Sequence, residues 1–234
     1  MHTMAEFTNL CNKFEKTVRD KYEGSIGDDS PFFFIENKKE YQMFRDELEI
    51  MRKLRNSFAH EPHMINNQAV LEVADVTYDA LEKIIKYIEN PPIVEDRYIS
   101  AKNLLTTHLN EPIKDVIEKM RKKSITHVPV LSEDGKLVGI FSENTIFSRL
   151  CDDEIVAIDE NEAIEKCSDY LPIDKHESEY FDFVGLKTTI ADVKAKFENP
   201  INKNKRLVLL IVTKTGWDNQ KVEGVITPWD LMND

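Results

Sequence analysis

Apolar residues in the first 90 positions recur at spacings of three and four, a period that predicts amphipathic helices. Three helices are predicted, over residues 1–20, 37–59 and 71–88. An apolar plug, Pro31–Ile35, lies between the first two, and Pro62 should end the second because proline cannot continue a helix. This half of the chain is therefore predicted to be an antiparallel helical domain.

The pattern changes after Pro91 and Pro92, which mark a predicted domain boundary near residues 89–97. Beyond it, short apolar runs typical of strands alternate with segments of helical period. Residues 151–180 are acidic and are predicted to be irregular, with one short helix at 160–170. The other predicted elements are helices at 112–122, 144–150, 190–197 and from Pro228, and strands at 128–131, 137–141, 207–213 and 222–226. The second half is therefore predicted to be an α/β domain.

The second half also contains an internal repeat. Gly139 and Ser142 match Gly224 and Thr227 at an offset of 85 residues, and the preceding strands match at a smaller offset of 79. The offset grows because the second copy carries insertions in turn-like stretches, and loops tolerate insertions without disturbing a core. Two tandem copies of one α/β unit are predicted.

Composition narrows the class of protein. The 234 residues are 41% hydrophobic and 32% charged, which is ordinary for a globular chain. No apolar run approaches the roughly 20 residues that cross a bilayer, and the amino terminus lacks the apolar core of a signal peptide. Cys11, Cys151 and Cys167 give no metal framework and suit a reducing compartment. We expect a cytoplasmic protein with no metal site and no membrane attachment.

The formal net charge of −12 is shared evenly between the two halves. Neither half carries the broad positive field that drives non-specific binding to nucleic acids. A DNA-binding role is therefore not predicted, although a small local site for RNA stays open.

Both copies of the repeat resemble the cystathionine-β-synthase (CBS) domain family. The resemblance rests on the stretches Ile125–Val130, Gly139–Ser142, Arg206–Leu210 and Gly224–Asp230. It covers about residues 97–234 and implies a tandem pair, an α/β sandwich with repeats at about 97–150 and 180–234. It also implies that a cleft in the pair binds an adenosine-containing ligand, such as AMP, ADP or ATP, and reports binding to an attached domain. No cofactor is required.

The resemblance assigns roles in the second repeat first. Thr227 would bind the ribose or a phosphate, and Asp230 would accept hydrogen bonds from the ribose hydroxyls. Arg206 and Lys205 stand where phosphate contacts are expected, and the planar guanidinium of arginine matches phosphate oxygens. The structural alternative stays open, because a threonine, a proline and an aspartate three residues later also make a good helix start.

The first repeat departs from this pattern. Ser142 matches Thr227, but Thr145 stands where the ribose-binding aspartate would be. Ser142 is also a candidate helix cap. His127 is included as a ligand contact, with a surface position beside its strand as the alternative. A single occupied site should therefore be the one that contains Asp230.

The stretch Leu54–Pro62 resembles the signature of HEPN domains (higher eukaryotes and prokaryotes nucleotide-binding), and the resemblance covers residues 1–90. Several HEPN families are dimeric, metal-independent ribonucleases. Carried over by position, His60 would act as general base or acid at the 2′-hydroxyl, Arg55 would stabilise charge on the phosphate, and Asn56 would orient the site.

A structural interpretation of the same residues stays open. Arg55 falls within the apolar stripe of the second predicted helix, and His60 lies about 140° around that helix. The two converge only if the helix breaks near Pro62 or a second subunit completes the site. Otherwise Arg55 would belong to a buried ion pair, and His60 would lie near the negative end of the helix dipole.

Together these observations predict an α+β protein of two domains, a helical HEPN-like domain at 1–92 and a CBS pair at 97–234. We expect a regulatory homodimer whose CBS pair senses an adenine nucleotide or related metabolite and signals to the helical domain. The alternative is a CBS-gated, metal-independent ribonuclease.

Overall fold

The computed structural model describes residues 1–60, 64–65, 68–69, 72–152, 159, 161–198 and 204–232. The chain divides into two compact units, Met1–Pro92 and Ile93–Asp234. Within the described ranges, no helix combines the length and the apolar character that crossing a bilayer requires.

The first unit is built from helices. Their bounds are α1 Met4–Lys21, α2 Pro31–Glu36, α3 Arg45–His60 and α4 Asp75–Glu89, with a 3-10 helix at Lys39–Phe44. Two short strands, β1 (Met64–Ile65) and β2 (Gln68–Ala69), pair between α3 and α4. Apolar side chains on the inner faces of the helices form one core, which includes Phe7, Phe14, Leu48, Leu81 and Ile85.

Local sequence explains where the first helices begin. Thr3 Oγ1 accepts from the N–H of Glu6 at 3.2 Å, and the Glu6 carboxylate accepts from the N–H of Thr3 at 2.7 Å. This reciprocal pair caps α1. The predicted apolar plug is itself a helix, α2, because Ser30 caps it and Pro31 occupies its first position.

Two predicted helices differ from the structure. The second prediction, 37–59, is divided into the 3-10 helix and α3. The third begins at Asp75 rather than at residue 71, because Val73 exchanges two backbone hydrogen bonds of 2.9 Å with His2 and is extended. The predicted helix end at Pro62 lies outside the described residues.

The second unit alternates helices and strands. In chain order these are β3 Ile99–Ser100, α5 Ile113–Lys123, β4 His127–Leu131, β5 Leu137–Ser142, α6 Glu143–Asp152, β6 Glu179–Gly185, α7 Ile190–Glu198, β7 Arg206–Thr213 and β8 Val222–Ile226. Three 3-10 helices, Val94–Asp96, Ile164–Tyr170 and Pro228–Leu231, complete the described part of the unit. The last of them stands where a helix from Pro228 was predicted.

The strands form one sheet of four, in the order β3-β8-β7-β6, and a hairpin of β4 and β5. Strand β6 pairs in parallel with β7, whereas β8 pairs with β7 in the antiparallel direction. Strands β3 and β6 were not predicted. Strand β3 is only two residues long, and Glu179 and Asp182 interrupt the apolar pattern of β6.

Equivalent positions of the two copies are buried alike. Ile113 and Val116 of α5 and their counterparts in α7, Ile190 and Val193, are each at most 3% exposed. These side chains belong to separate hydrophobic clusters, one under each copy. The predicted repeat positions therefore have the same structural role in both copies.

The repeated glycines allow a second backbone segment to approach a strand. A Cβ built on Gly139 would lie 2.2 Å from the carbonyl oxygen of Leu171, and one built on Gly224 would lie 2.0 Å from that of Ile99. Ile140 N–H donates to the Leu171 oxygen at 2.8 Å, and Ile99 lies in strand β3 beside β8. Both copies therefore need a glycine because another chain segment crosses there.

Candidate ligand site

The larger candidate site is a cavity of about 460 Å³ in the second unit, called the apolar cavity below. Ser124–His127 line it at the end of α5 and the start of β4, and Arg206–Leu209 line it at the start of β7. Thr227–Trp229, which follow β8, line a further part. Both copies thus contribute to one cavity, whose volume falls within the roughly 300–1,000 Å³ typical of small-molecule sites.

A second cavity of about 260 Å³, called the polar cavity, is lined by Ser142–Asn144 and Glu179. Ser142–Asn144 occupy the repeat positions that Thr227–Trp229 occupy in the second copy, so the two cavities are equivalent places. The residues that line both cavities are Thr126, His127 and Arg206. The polar cavity is smaller than most small-molecule sites, which suits a substituent better than a whole nucleoside.

Thr227 and Asp230 lie where β8 ends and the last 3-10 helix begins. The N–H and the hydroxyl of Thr227 both donate to Asp230 Oδ2, each at 2.7 Å. These hydrogen bonds are the helix-start contact that the structural alternative predicted. Asp230 Oδ1 has no donor among the described residues, and both side chains are partly exposed. An ionised acceptor bonded to a cavity-lining threonine is available to a diol.

In the first copy, the equivalent residues, Ser142 and Thr145, are buried and hydrogen-bond to each other. Thr145 N–H donates to Ser142 Oγ at 3.3 Å, and Ser142 N–H donates to Thr145 Oγ1 at 3.0 Å. The two residues are 1% and 2% exposed. This reciprocal cap carries no carboxylate, so the geometry favours the second copy as the place for a ribose.

Glu179, the first residue of β6, joins matching residues of the two copies. Its Oε2 lies 3.0 Å from His127 Nε2, and its Oε1 accepts from Arg206 Nη2 at 2.9 Å. His127 begins β4 and Arg206 begins β7, the two matching strands. The Glu179 carboxylate therefore lines the polar cavity and is held by one residue from each copy.

The environment keeps this carboxylate ionised. Glu179 is only 5% exposed, and burial by itself would raise its pKa. The hydrogen bond and charge interaction with His127, and the hydrogen bonds from Asn144 and Arg206, outweigh burial and hold the pKa of Glu179 below its usual value. A fixed negative charge is thus present at neutral pH.

The structure places two of the predicted ligand contacts, His127 and Lys205, differently from the sequence-based predictions. The surface alternative for His127 is wrong, because its side chain is 10% exposed and lies against Glu179 and the Phe181 ring. Lys205 lines neither cavity, and its ammonium group donates to the backbone oxygen of His176 at 2.5 Å. Only Arg206 of the two predicted phosphate contacts reaches the cavities.

Two residues of the site were not predicted from the sequence. Trp229, 75% exposed, presents a large ring beside the apolar cavity, yet in the sequence it reads as part of a helix start. Glu179 lies in the segment predicted to be irregular. The internal repeat could have indicated Trp229, because Trp229 lies two residues after Thr227, the threonine that matches Ser142 in the first copy.

In the helical unit, the structure shows the side chains of two of the three candidate catalytic residues, Arg55 and Asn56. Arg55 Nη2 lies 3.0 Å from Glu15 Oε1 of α1, and Arg55 Nη1 donates to Asn56 Oδ1 at 3.4 Å. The ion pair of the structural interpretation is present, but it is not buried, because the Arg55 and Glu15 side chains are 37% and 20% exposed. The His60 side chain lies outside the described residues, so the predicted catalytic arrangement stays a prediction.

His176 leads to a prediction on pH. It is 5% exposed, lies edge-on to Phe181, and its Nε2 is 3.4 Å from the oxygen of Leu171. Burial lowers the pKa of His176 below its usual value of about 6.5. A lowered pKa means that the unfolded state binds the proton more readily, so stability is lost as the pH falls below about 6.5.

We expect His176→Gln to lose less stability between pH 7 and pH 5 than the unsubstituted protein, by at most about 1.4 kcal/mol per pH unit. Urea unfolding followed by tryptophan fluorescence measures this, because both tryptophans of the chain, Trp217 and Trp229, lie in the second unit. His108→Asn is the matched control, since His108 is exposed and its Nδ1 lies 2.8 Å from the oxygen of Leu131. Equal slopes for all three proteins would contradict the prediction.

Comparison with known families identifies one segment of the chain. Residues 94–152 match the family model of the CBS domain. These residues contain the first copy of the repeat, including β4, β5 and α6. The carboxy-terminal region is therefore of the CBS type, in a protein that mixes helices and strands. Among the described residues, no group of three or more His, Cys, Asp or Glu side chains has the arrangement of a metal site.

Two curated proteins of methanogens are similar to part of the chain. Homoserine O-acetyltransferase of Methanococcus vannielii is 32% identical over 90 residues, which are 38% of this chain and 16% of that protein. L-aspartate semialdehyde sulfurtransferase of Methanocaldococcus jannaschii is 30% identical over 122 residues, 52% of this chain and 22% of that protein. The chain thus spans less than a quarter of either relative.

Two solved structures are similar at low identity. CbpB in complex with c-di-AMP is 15% identical, with a TM-score of 0.48 over 64% of this chain and 90% of that chain. CBSX2 in complex with AMP is 16% identical, with a TM-score of 0.43 over 60% of this chain and 92% of that chain.

Proposed function

We propose that the second unit binds an adenosine-containing ligand in the apolar cavity and that binding regulates the helical unit. The observation that carries the proposal is the pair Thr227 and Asp230 beside this cavity. Thr227 lines it, and Asp230, which accepts from Thr227 without itself lining the cavity, keeps one carboxylate oxygen without a donor among the described residues. The two adjacent hydroxyls of a ribose are hydrogen-bond donors, and the Asp230 carboxyl group supplies an acceptor for them.

The cavity walls support a purine base. Ile99, Leu104 and Val225 are apolar, and Pro228 and Trp229 lie at the same end as Thr227. The Trp229 ring is exposed enough to cover a base, and base–aromatic stacking contributes about 1–3 kcal/mol per base. An adenosine ligand would thus place its base on apolar surface and its ribose on the carboxylate.

The regulatory part of the proposal rests on the domain arrangement. The helical unit is a separate compact body, and CBS-type regions combined with another domain suit a role in sensing. Ligand binding would favour one of two arrangements of the protein, by no more than its difference in affinity for them. The HEPN-like nature of the helical unit, a homodimeric state and contact with RNA remain parts of this proposal.

Isothermal titration calorimetry of the full chain tests the ligand proposal. The panel is adenosine, AMP, ATP, cyclic di-AMP and S-adenosyl-L-methionine, with guanosine and GMP as controls for the base. We expect at least one adenosine compound to bind with a dissociation constant below about 100 μM, near −5.5 kcal/mol, and the guanine controls at least tenfold more weakly. Absence of binding throughout the panel, or equal binding of guanine compounds, would contradict the proposal.

A further inference from the structure

Leaving aside the His127 imidazole, the polar cavity has more carboxylates than guanidinium groups. Two carboxylates line it, Glu179 and the exposed Glu143, against the single guanidinium of Arg206. The His127 and Asn144 side chains, which also line this cavity, both hydrogen-bond to Glu179. A ligand group that enters this space therefore meets a carboxylate field rather than a cradle of free cations.

Arg206, the expected phosphate contact, is already engaged. Its Nη2 donates to Glu179 Oε1 at 2.9 Å, while 73% of its side chain is exposed. A phosphate that reached this guanidinium would lie close to an ionised, buried carboxylate. Like charges about 5 Å apart near a protein surface repel strongly enough to change an affinity roughly tenfold.

We propose that Glu179 is the residue that selects the ligand by charge, so that the site accepts adenosine ligands without a phosphate chain and rejects polyphosphates. The proposal rests on the proposed function, because the nucleoside itself would lie in the apolar cavity. Glu179 is placed to act on such a ligand, since it bridges His127 and Arg206, two of the side chains that line both cavities. An uncharged 5′-group or one bearing an ammonium ion fits the neighbouring space.

The same geometry assigns Arg206 a different role from the one that the sequence implied. Glu179 balances its charge, so Arg206 would line the site beside the nucleoside rather than attract phosphates. A sequence with an uncharged residue at position 179 would leave Arg206 available to a phosphate. The identity of one residue in β6 therefore decides the ligand class.

Calorimetry with adenosine and ATP, in EDTA and at constant ionic strength, tests the proposal on the full chain. The unsubstituted protein is expected to bind adenosine at least tenfold more tightly than ATP. In Glu179→Gln this ratio should fall at least tenfold, because ATP binds more tightly while the affinity for adenosine changes less than threefold. Glu177→Gln is the matched control, since it removes the same charge from an exposed position two residues away and should leave the ratio unchanged.

The outcomes separate this proposal from the one that it rests on. Preference of the unsubstituted protein for ATP, or an equal change for both ligands in Glu179→Gln, overturns charge selection while adenosine binding stands. Absence of adenosine and ATP binding in every variant overturns both proposals.

If Glu179→Gln does not fold, the salt dependence of adenosine and ATP binding to the unsubstituted protein tests charge selection instead. The phosphates of ATP are exposed to solvent, so raising NaCl from about 50 mM to 500 mM partly screens their repulsion by the buried Glu179 carboxylate. The preference of the unsubstituted protein for adenosine over ATP should then narrow at least threefold. A preference that widens with salt would mean that ATP is held by attraction, and it would overturn the proposal.

Discussion

Asp230→Ala is expected to weaken the binding of adenosine by at least 100-fold. The ribose offers two hydroxyl donors, and a hydrogen bond to an ionised acceptor contributes about 1.5–3 kcal/mol. Loss of two such bonds removes at least about 3 kcal/mol, which exceeds the roughly 2.7 kcal/mol that corresponds to a 100-fold change in the dissociation constant. Isothermal titration calorimetry with adenosine measures the change directly.

The control for this variant lies in the same unit. Thr189 Oγ1 donates to Asp192 Oδ2 at 2.7 Å at the start of α7, the same threonine–aspartate contact that joins Thr227 to Asp230. Asp192→Ala therefore removes a comparable helix-start contact away from the apolar cavity. Both variants should lose about 1 kcal/mol of stability, but only Asp230→Ala should lose binding. Equal affinities in the two variants would remove the ribose role of Asp230.

Gly224→Ala is expected to destabilise the second unit by more than about 4 kcal/mol, which is exceptional for a single substitution. The new Cβ would lie 2.0 Å from the backbone oxygen of Ile99 and 2.7 Å from the Tyr98 ring. Relief requires strand β3 to move away from β8, because the obstacle is backbone rather than a flexible side chain. Gly139→Ala should behave alike, since its Cβ meets the Leu171 oxygen at 2.2 Å.

Urea unfolding followed by tryptophan fluorescence measures both variants. Gly135→Ala is the control, because its φ is +80° and its nearest neighbour is the flexible side chain of Lys221. That variant should lose only about 1–2 kcal/mol, the cost of a left-handed residue with a Cβ. A thermal scan should place Gly224→Ala about 10 °C or more below the unsubstituted protein. A loss no larger than that of Gly135→Ala would show that the strands can separate at little cost.

The helices and the repeated strands could be predicted from the sequence. Helix α5 was expected at 112–122 and spans Ile113–Lys123, and β7 was expected at 207–213 and spans Arg206–Thr213. Such elements have strong apolar periodicity, which depends on local sequence. Strand β6 was not predicted because Glu179 and Asp182 interrupt the apolar run. The segment becomes a strand through its pairing with β7.

The candidate site was predictable only in part. The repeat indicated Thr227, Asp230 and Ser142, since a duplicated pattern marks equivalent positions. It could not indicate that Ser142 is closed by Thr145, or that Arg206 already has a partner. Those facts depend on distances between residues far apart in the sequence.

The sequence by itself determined the change from helical to alternating elements, the two copies and the glycine of each copy, because these depend on apolar spacing and on local backbone chemistry. Tertiary structure decided which copy keeps an open carboxylate, which side chains line each cavity and where the Glu179 charge stands. The reason is that β6 brings Glu179 between His127 and Arg206, 52 and 27 residues away along the chain. The balance of charge among these three residues therefore depends on how the strands pack, and local sequence does not determine it.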